Sequence, residues 1–334
     1  MKINTVSASK PVKISVIVAS RNEMDYIGQC LESLINQDYP KDEFEIIVVD
    51  GMSNDGTRDI ILDFQKKHQN VILIDNPKIF CSAAMNLGIK KAKGDFIIKV
   101  DAHALVSSDF IRKNIEFLEK TKAACVGGPI KTIGKGYTGE AIALALVSFF
   151  GTGGSAFRSN PKFEGYVDTV PFGAYRRDFL EKAGLYEETM KKVEDLDLHA
   201  RIKRLGGRFY MTPDIKSSYF CRSTIKGFIK QAFTNGYEVG GILNVVFFRH
   251  LVPFFFVSAL LISFLLSFVF DTARAVFILI LFSYLLFNIF FSLQIVLKKG
   301  KLKYLPIIPL IFAVQHLSYG VGTFTRIFNF LKKR

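Results

Sequence analysis

The chain has 334 residues, enough for one large domain or two smaller ones, with 49% hydrophobic side chains and 33 Phe gathered toward the C-terminus. Ten Lys/Arg and one acid, Asp271, lie from Arg249 onward, a net +9, which leaves only +5 of the total +14 for the preceding residues. A nucleic-acid binder would carry its excess on the folded domain, so this distribution excludes nucleic acid as partner and points to anionic lipid headgroups.

From residue 14 to about 128, short apolar runs alternate with helical patterns. Strands are predicted at 14–18 (ISVIV), 44–49, 71–74 and 96–100, and helices at 26–37, 57–68 and 82–91, the second with Thr57 as its N-cap. Strand–helix alternation with short connections implies an α/β fold, a mostly parallel sheet flanked by helices. Ligands of such sheets bind beyond the carboxyl ends of the strands, where Asp50 and Asp101 fall. A glycine-rich stretch, 129–172, reads either as a mobile substrate-binding segment or as ordinary turns connecting core elements. Within it, 141–150 is apolar but too short to span a bilayer, and is expected as a helix in the core or at a membrane-facing edge. A further helix is expected at 195–205.

Residues 225–248 are amphipathic, with Lys226 and Lys230 set among Phe228, Ile229 and Phe233, as in an interfacial helix. Three apolar segments follow at 251–270, 275–297 and 305–324. The first two are long enough to span; the third carries Gln315, His316, Ser318 and Thr323. With the first span entering from inside, the basic loop 298–303 also lies inside. Met1-Lys2-Ile3-Asn4-Thr5 has no apolar run of the export type, so the preceding domain is expected to be cytoplasmic. Cys30, Cys81, Cys125 and Cys221 lack metal-ligand spacing and read as reduced thiols.

Two acidic stretches carry the chemistry. Lys99-Val100-Asp101-Ala102-His103 can hold a divalent cation, Mn2+ or Mg2+, against a diphosphate; if the chain stays extended, Asp101 and His103 share a face. Glu194, Asp195 and Asp197 place three acids in four residues, more than helix capping requires, and Asp195 can take a proton from an attacking hydroxyl. No dinucleotide or P-loop glycine fingerprint is present.

Together, ISVIVASRNE (14–23), VVDGMSNDGT (48–57), VDAH (100–103), FGAYRRDFLEKAGLYEE (172–188) and VEDLDLHARI (193–202) resemble the family 2 glycosyltransferases, inverting enzymes of GT-A fold. The variations Gly51, Met52, Arg21 and His103, with GTGGSAFR (151–158) and HLSYGVG (316–322), resemble the succinoglycan-biosynthesis branch. The resemblance implies nucleotide binding by Ala19, Arg21, Glu23, Asp50 and Lys99, a metal on Asp101 and His103, catalysis by Asp195 with Glu194, and acceptor binding by Gly173, Arg176, Asp197 and Gln231. It further implies a UDP-sugar donor and a polyprenyl-diphosphate-linked saccharide acceptor at the cytoplasmic face of the bacterial inner membrane, in exopolysaccharide or cell-surface glycan assembly. The expected organisation is an N-terminal tail (1–12), a GT-A nucleotide-sugar-binding domain (13–224), an interfacial helix region (225–250) and a multi-pass membrane domain (251–331) of two or three transmembrane helices. The QxxRW motif of processive synthases is absent: Gln231 is followed by neither Arg nor Trp, so single addition is favoured over polymerisation. A catalytically silent scaffold is the alternative of another class, and retention of Asp101 and Asp195 argues against it.

Overall fold

The computed structural model describes residues 13–190, 192–243 and 245–332; the expected tail, 1–12, lies outside them. In chain order the first elements are β1 (Ile14–Ser20), α1 (Ile27–Ile35), β2 (Phe44–Asp50), α2 (Thr57–Lys67), β3 (Val71–Asp75), α3 (Cys81–Lys91), β4 (Phe96–Asp101), β5 (Ala104–Val106) and α4 (Phe110–Thr121). Next come β6 (Cys125–Gly127), β7 (Ile130–Ile133), α5 (Gly136–Leu146), α6 (Phe149–Thr152), α7 (Ala156–Ser159), β8 (Gly165–Val167), β9 (Ala174–Arg176) and α8 (Arg177–Lys182). The chain continues through α9 (Glu194–Arg204), β10 (Phe209–Met211), β11 (Ser217–Phe220), α10 (Ile225–Val239), α11 (Phe248–Leu266), α12 (Asp271–Lys299) and α13 (Ile308–Leu331).

These elements form two compact units that do not follow chain order. The first takes the residues up to Pro129, Lys162–Thr189 and Leu198–Ser217; the second takes Ile130–Pro161, Met190–Asp197 and Ser218 onward.

The first unit is built on an eight-stranded sheet of order β3-β2-β1-β4-β9-β6-β10-β8. Its first four strands are mutually parallel. β1 and β2 are buried nearly throughout, as expected for strands covered on both faces. The four expected strands are each one or two residues longer than their apolar runs, because the ladder continues into polar ends at Ser20, Asp50, Asp75 and Asp101. The far half of the sheet is mixed. β9, read from sequence as part of an acceptor segment, pairs antiparallel with both β4 and β6. Gly173 permits this insertion, since a Cβ there would lie 2.5 Å from Cys125 Sγ.

The second unit is mainly helical. Its apolar cluster joins Ala141, Ile142 and Leu144 of α5, Phe228 of α10, Ile295 and Val296 of α12, and Ile308, Ile311 and Phe312 of α13. The expected short apolar run is thus α5 in this core. α10 stops at Val239 rather than 248; it keeps Phe228 buried and Lys226 and Lys230 exposed. At its crossing with α13, a Cβ on Gly236 would strike the Tyr319 carbonyl and one on Gly322 the Phe233 carbonyl. Thr323 Oγ1 donates to the Gly236 carbonyl at 2.9 Å. Small residues and a hydroxyl therefore let the two backbones touch.

α11 and α12 are each long and apolar enough to cross a membrane, and only 6% and 11% of their most apolar windows are buried. Ile262, Leu265, Phe268, Ile278, Phe282 and Phe290 remain exposed, an apolar surface suited to lipid. The basic loop after α12 packs on α5: Lys301 pairs with Glu140 at 3.2 Å, and Tyr137 donates to the Lys303 carbonyl at 2.8 Å.

The glycine-rich stretch is held rather than loose at its α6 end. Phe150 sits among Phe291, Phe312 and His316, with ring centroids 4.9, 5.0 and 4.7 Å away. His316 Nε2–H donates to the Phe150 carbonyl at 2.9 Å, which leaves Nδ1 to accept from the Tyr284 hydroxyl at 3.1 Å. Gln315 donates to the Gly151 carbonyl.

Candidate active site

The carboxyl ends of β3, β2, β1 and β4 align a row of acids. Ser20 pairs with Asp50, Asp50 with Asp75, and Ala19 with Asp101. Asp75 and Asp101 stand at opposite ends of this four-strand edge, roughly 14 Å apart at three strand spacings. An edge of that width can take a nucleoside at one end and a diphosphate at the other.

At the β2 end, Asp50 is fully buried. Its carboxylate accepts from the Ser53 hydroxyl, from the Ser53 N–H at 2.9 Å and from Arg58 Nη1 at 3.0 Å. Arg58 also reaches the more exposed Asp75 at 2.7 Å. Hydrogen bonds to Asp75 and then Asp50 raise the already high pKa of this guanidinium. Most of the acceptor capacity of Asp50 is therefore spent inside the chain.

The loops after β1 and β2 are laced together. Arg21 Nη1 donates to the Gly51 carbonyl at 3.0 Å, the Asn22 N–H to Ser53 Oγ at 2.9 Å, and the Glu23 N–H to Thr57 Oγ1 at 2.8 Å. Arg21 thus braces the loop that was expected to touch nucleotide. Thr57 is the first residue of α2 rather than its cap; Asp55 Oδ1 accepts its N–H. Two family departures acquire local reasons. A Cβ on Gly51 would lie 2.9 Å from the Ile79 carbonyl, and Met52 holds the left-handed backbone (φ 58°) otherwise supplied by glycine.

At the β4 end the chain does not stay extended: Ala102 and His103 form a turn between β4 and β5. Asp101 and His103 therefore do not share a strand face, contrary to the sequence expectation. His103 Nδ1 instead lies 3.0 Å from Glu23 Oε1, and its ring meets Tyr26 edge-on. The contact is a carboxylate–histidine arrangement of the kind that orients an imidazole beside a metal. Among the described residues no three His, Cys, Asp or Glu side chains cluster tightly enough to hold a metal by themselves. The donor set fits a hard cation that takes most of its ligands from diphosphate and water. Lys99, two residues before Asp101 on the same strand face, is buried beneath the Tyr186 ring at 5.6 Å.

α9 opens on Glu194, Asp195 and Asp197, which suit the positive end of the helix. Glu194 is buried and Asp195 half-buried. Val193, just before them, has φ 56°, a costly conformation for a β-branched residue. One turn after Asp195, His199 is buried. Its Nδ1 lies 2.8 Å from Thr169 Oγ1 and its Nε2 2.7 Å from the Tyr175 hydroxyl. Burial, with smaller contributions from Lys99 and Lys203, pushes its pKa down to about 3. A neutral ring donates through one nitrogen and accepts through the other, and so pins α9 in orientation. Sequence reasoning missed His199; the available signal was a histidine one turn after Asp195, inside the acidic motif.

Two acceptor expectations meet other roles. Arg176 pairs with Phe96 at the start of β4, roughly 17 Å from Asp101 along the strand. It donates to the carbonyls of Leu118 and Ala123, at 2.7 and 3.3 Å, and so ties β9 to the end of α4. The Gly173 carbonyl accepts the Lys99 N–H at 3.0 Å. Gln231, in the other unit, donates to the Tyr219 hydroxyl at 3.3 Å.

A GT-A-like α/β fold with an acidic row at the carboxyl edge of its parallel strands is the architecture of the glycosyltransferase class. Residues 15–184 match the model of glycosyl transferase family 2, and the chain belongs to that family. It is 34% identical to the dolichyl N-acetyl-alpha-D-glucosaminyl phosphate 3-beta-D-2,3-diacetamido-2,3-dideoxy-beta-D-glucuronosyltransferase of Methanococcus voltae, over 92% of this chain and 95% of that one. It is 28% identical to the succinoglycan biosynthesis protein ExoA of Rhizobium meliloti, over 70% of each. Among solved structures it superposes on the Pyrobaculum calidifontis mannosyltransferase in complex with GDP-Man and Mn2+, with TM-score 0.59, 17% identity and coverage of 96% and 89%. It also superposes on residues 1–349 of Staphylococcus aureus TarS in complex with UDP-GlcNAc, with TM-score 0.53, 19% identity and coverage of 94% and 91%.

Proposed function

We propose that the chain transfers a single sugar, with inversion, from a UDP-sugar to a saccharide carried on a polyprenyl phosphate or diphosphate. The transfer takes place at the cytoplasmic face of a membrane that α11 and α12 cross, during assembly of an exopolysaccharide or other cell-surface glycan. The observation that carries this reading is the acidic row at the sheet edge, in one chain with two lipid-competent helices. The match, over 92% of this chain, to a glucuronosyltransferase named for dolichyl N-acetyl-alpha-D-glucosaminyl phosphate supports the acceptor class. Archaeal and bacterial relatives both match, so the proposal covers an isoprenoid carrier of either kind and is not confined to the bacterial inner membrane.

In this reading the nucleoside lies against the Asp50–Arg58–Asp75 end and the diphosphate against Asp101. Asp101 and His103 would hold Mn2+ or Mg2+, which supplies positive charge to the departing diphosphate. Asp195 takes the proton of the acceptor hydroxyl as its oxygen bonds to the anomeric carbon. The bond from that carbon to the diphosphate breaks on the opposite face, and UDP leaves. Glu194 and Asp197 support Asp195 or the acceptor. His199 is a positioning residue for α9. Anchoring the enzyme beside a carrier confined to the bilayer raises the effective acceptor concentration.

The test uses membranes from expressing cells, labelled UDP-sugars and polyprenyl-linked acceptors, with Mn2+ or a chelator. One discrete product shift, dependent on metal, is expected. A ladder of products would overturn single addition, and full activity in chelator would remove the metal from Asp101.

A further inference from the structure

The second unit contains a guanidinium that no carboxylate among the described residues balances. Arg158, on α7, is half-buried and forms no ion pair with any Asp or Glu among the described residues. Its Nη1 donates to Thr132 Oγ1 at 2.8 Å, and the guanidinium lies over the Phe157 and Tyr219 rings at 5.5 and 5.4 Å. Burial pushes its pKa down, although an arginine at this site still carries its charge. Taking a charge even partly out of water without an opposite charge has a cost, and aromatic rings offset only part of it. The rings accept no conventional hydrogen bond from the planar N–H fork, which carries five donors. That fork matches the oxygens of a phosphate.

The surroundings say which phosphate. Thr132, Phe157, Arg158, Tyr219 and Gln231 all belong to the unit that carries the lipid-competent helices. Tyr219 packs on the apolar cluster that includes Ile295 of α12 and Ile308 and Phe312 of α13. Its hydroxyl accepts from Gln231 Nε2, which fixes the ring beneath the guanidinium. The backbone N–H groups of Arg158 and Ser159 both donate to the Ser155 carbonyl at 3.0 Å, so α7 holds the arginine on a short rigid turn. A phosphate recognised here has its apolar portion next to the cluster that includes α12, one of the two helices apolar enough to cross a membrane.

We infer that Arg158, with Thr132 and Tyr219, forms the site for the phosphate or diphosphate of the isoprenoid carrier. The inference rests on the acceptor class proposed above. It accounts for a charge that the donor chemistry at Asp50, Asp101 and Asp195 does not use.

The experiment measures equilibrium binding of radiolabelled undecaprenyl diphosphate to the purified full chain in neutral detergent. It compares wild type with Arg158→Met and Arg158→Lys, with UDP binding and transfer to polyprenyl-linked acceptors as parallel readouts. Arg158→Met is expected to weaken undecaprenyl diphosphate at least tenfold, Arg158→Lys to lie between, and UDP affinity to stay unchanged. Undecaprenol, which lacks phosphate, should not compete. Unchanged lipid binding in Arg158→Met would overturn the inference. So would equal competition by phosphatidylglycerol, which would assign the site to membrane headgroups. A parallel loss of UDP binding would assign it to donor phosphate or to folding. Transfer by wild type with normal lipid binding in Arg158→Met would defeat this inference alone. Absence of transfer by wild type, with Arg158-dependent lipid binding, would defeat the functional reading and leave the phosphate site standing.

Discussion

Single side chains carry distinct burdens here. Arg58 holds the fully buried Asp50 and the exposed Asp75 together, so its loss strands a buried carboxylate. Arg58→Met should lower stability by about 2 kcal/mol, reduced from the fully buried case because the arginine is one-third exposed. Asp75→Asn should cost under about 1 kcal/mol; chemical denaturation compares the two. His199 gives a pH signature. Its folded pKa, about 3, lies below the ordinary 6.5, so the unfolded chain gains a proton first as pH falls. Stability contributed by the neutral ring is full above pH 6.5 and is lost toward pH 3, at about 1.4 kcal/mol per pH unit. His199→Gln should flatten that slope in denaturation curves between pH 6.5 and pH 4. Val193 stores strain immediately before the acids of α9. Val193→Gly should raise stability by about 1 kcal/mol while lowering kcat, because Glu194 and Asp195 lose a fixed backbone. Unchanged kcat would show that the strain is incidental.

Among the elements, periodicity made the parallel half of the first sheet legible: buried β-branched runs can be little else when short helices separate them. The same reasoning could not find β8, β9 and β10. Each is three residues long, too short for a period, and is held by partners distant in sequence. The place of Arg176 opposite Phe96 could not be read for that reason, since nothing local says that β9 runs antiparallel to β4. Asp50 and Asp101 were placed correctly at strand ends, but the bond from Glu23 to His103 joins two loops eighty residues apart and leaves no trace in either motif. In the helical unit, Gly320 and Gly322 looked like part of a family signature. Their physical reason is close backbone packing, of Gly322 on α10 and of Gly320 on Pro253 in α11. Gly236→Leu and Gly322→Leu should each lower the thermal midpoint in detergent sharply, because the obstruction is main chain and no side chain can yield. A surface control on the same helix, Ile229→Leu, should leave it unchanged.

For the whole molecule, the acidic sheet edge and the lipid-competent helices together constrain function more than either does alone. A family 2 glycosyltransferase needs only a nucleotide-sugar site for its donor; Arg158, held by Thr132 and balanced by no carboxylate among the described residues, is the proposed hold on a lipid carrier. The account stands or falls on Asp195 as the group that takes the acceptor proton. The direct measurement is sugar transfer by wild type and Asp195→Asn, on the purified full chain with labelled UDP-sugar and a polyprenyl-linked acceptor, with UDP binding measured alongside. The account predicts a loss on the order of a hundredfold or more in kcat with UDP affinity intact. Transfer by Asp195→Asn at the wild-type rate would contradict it.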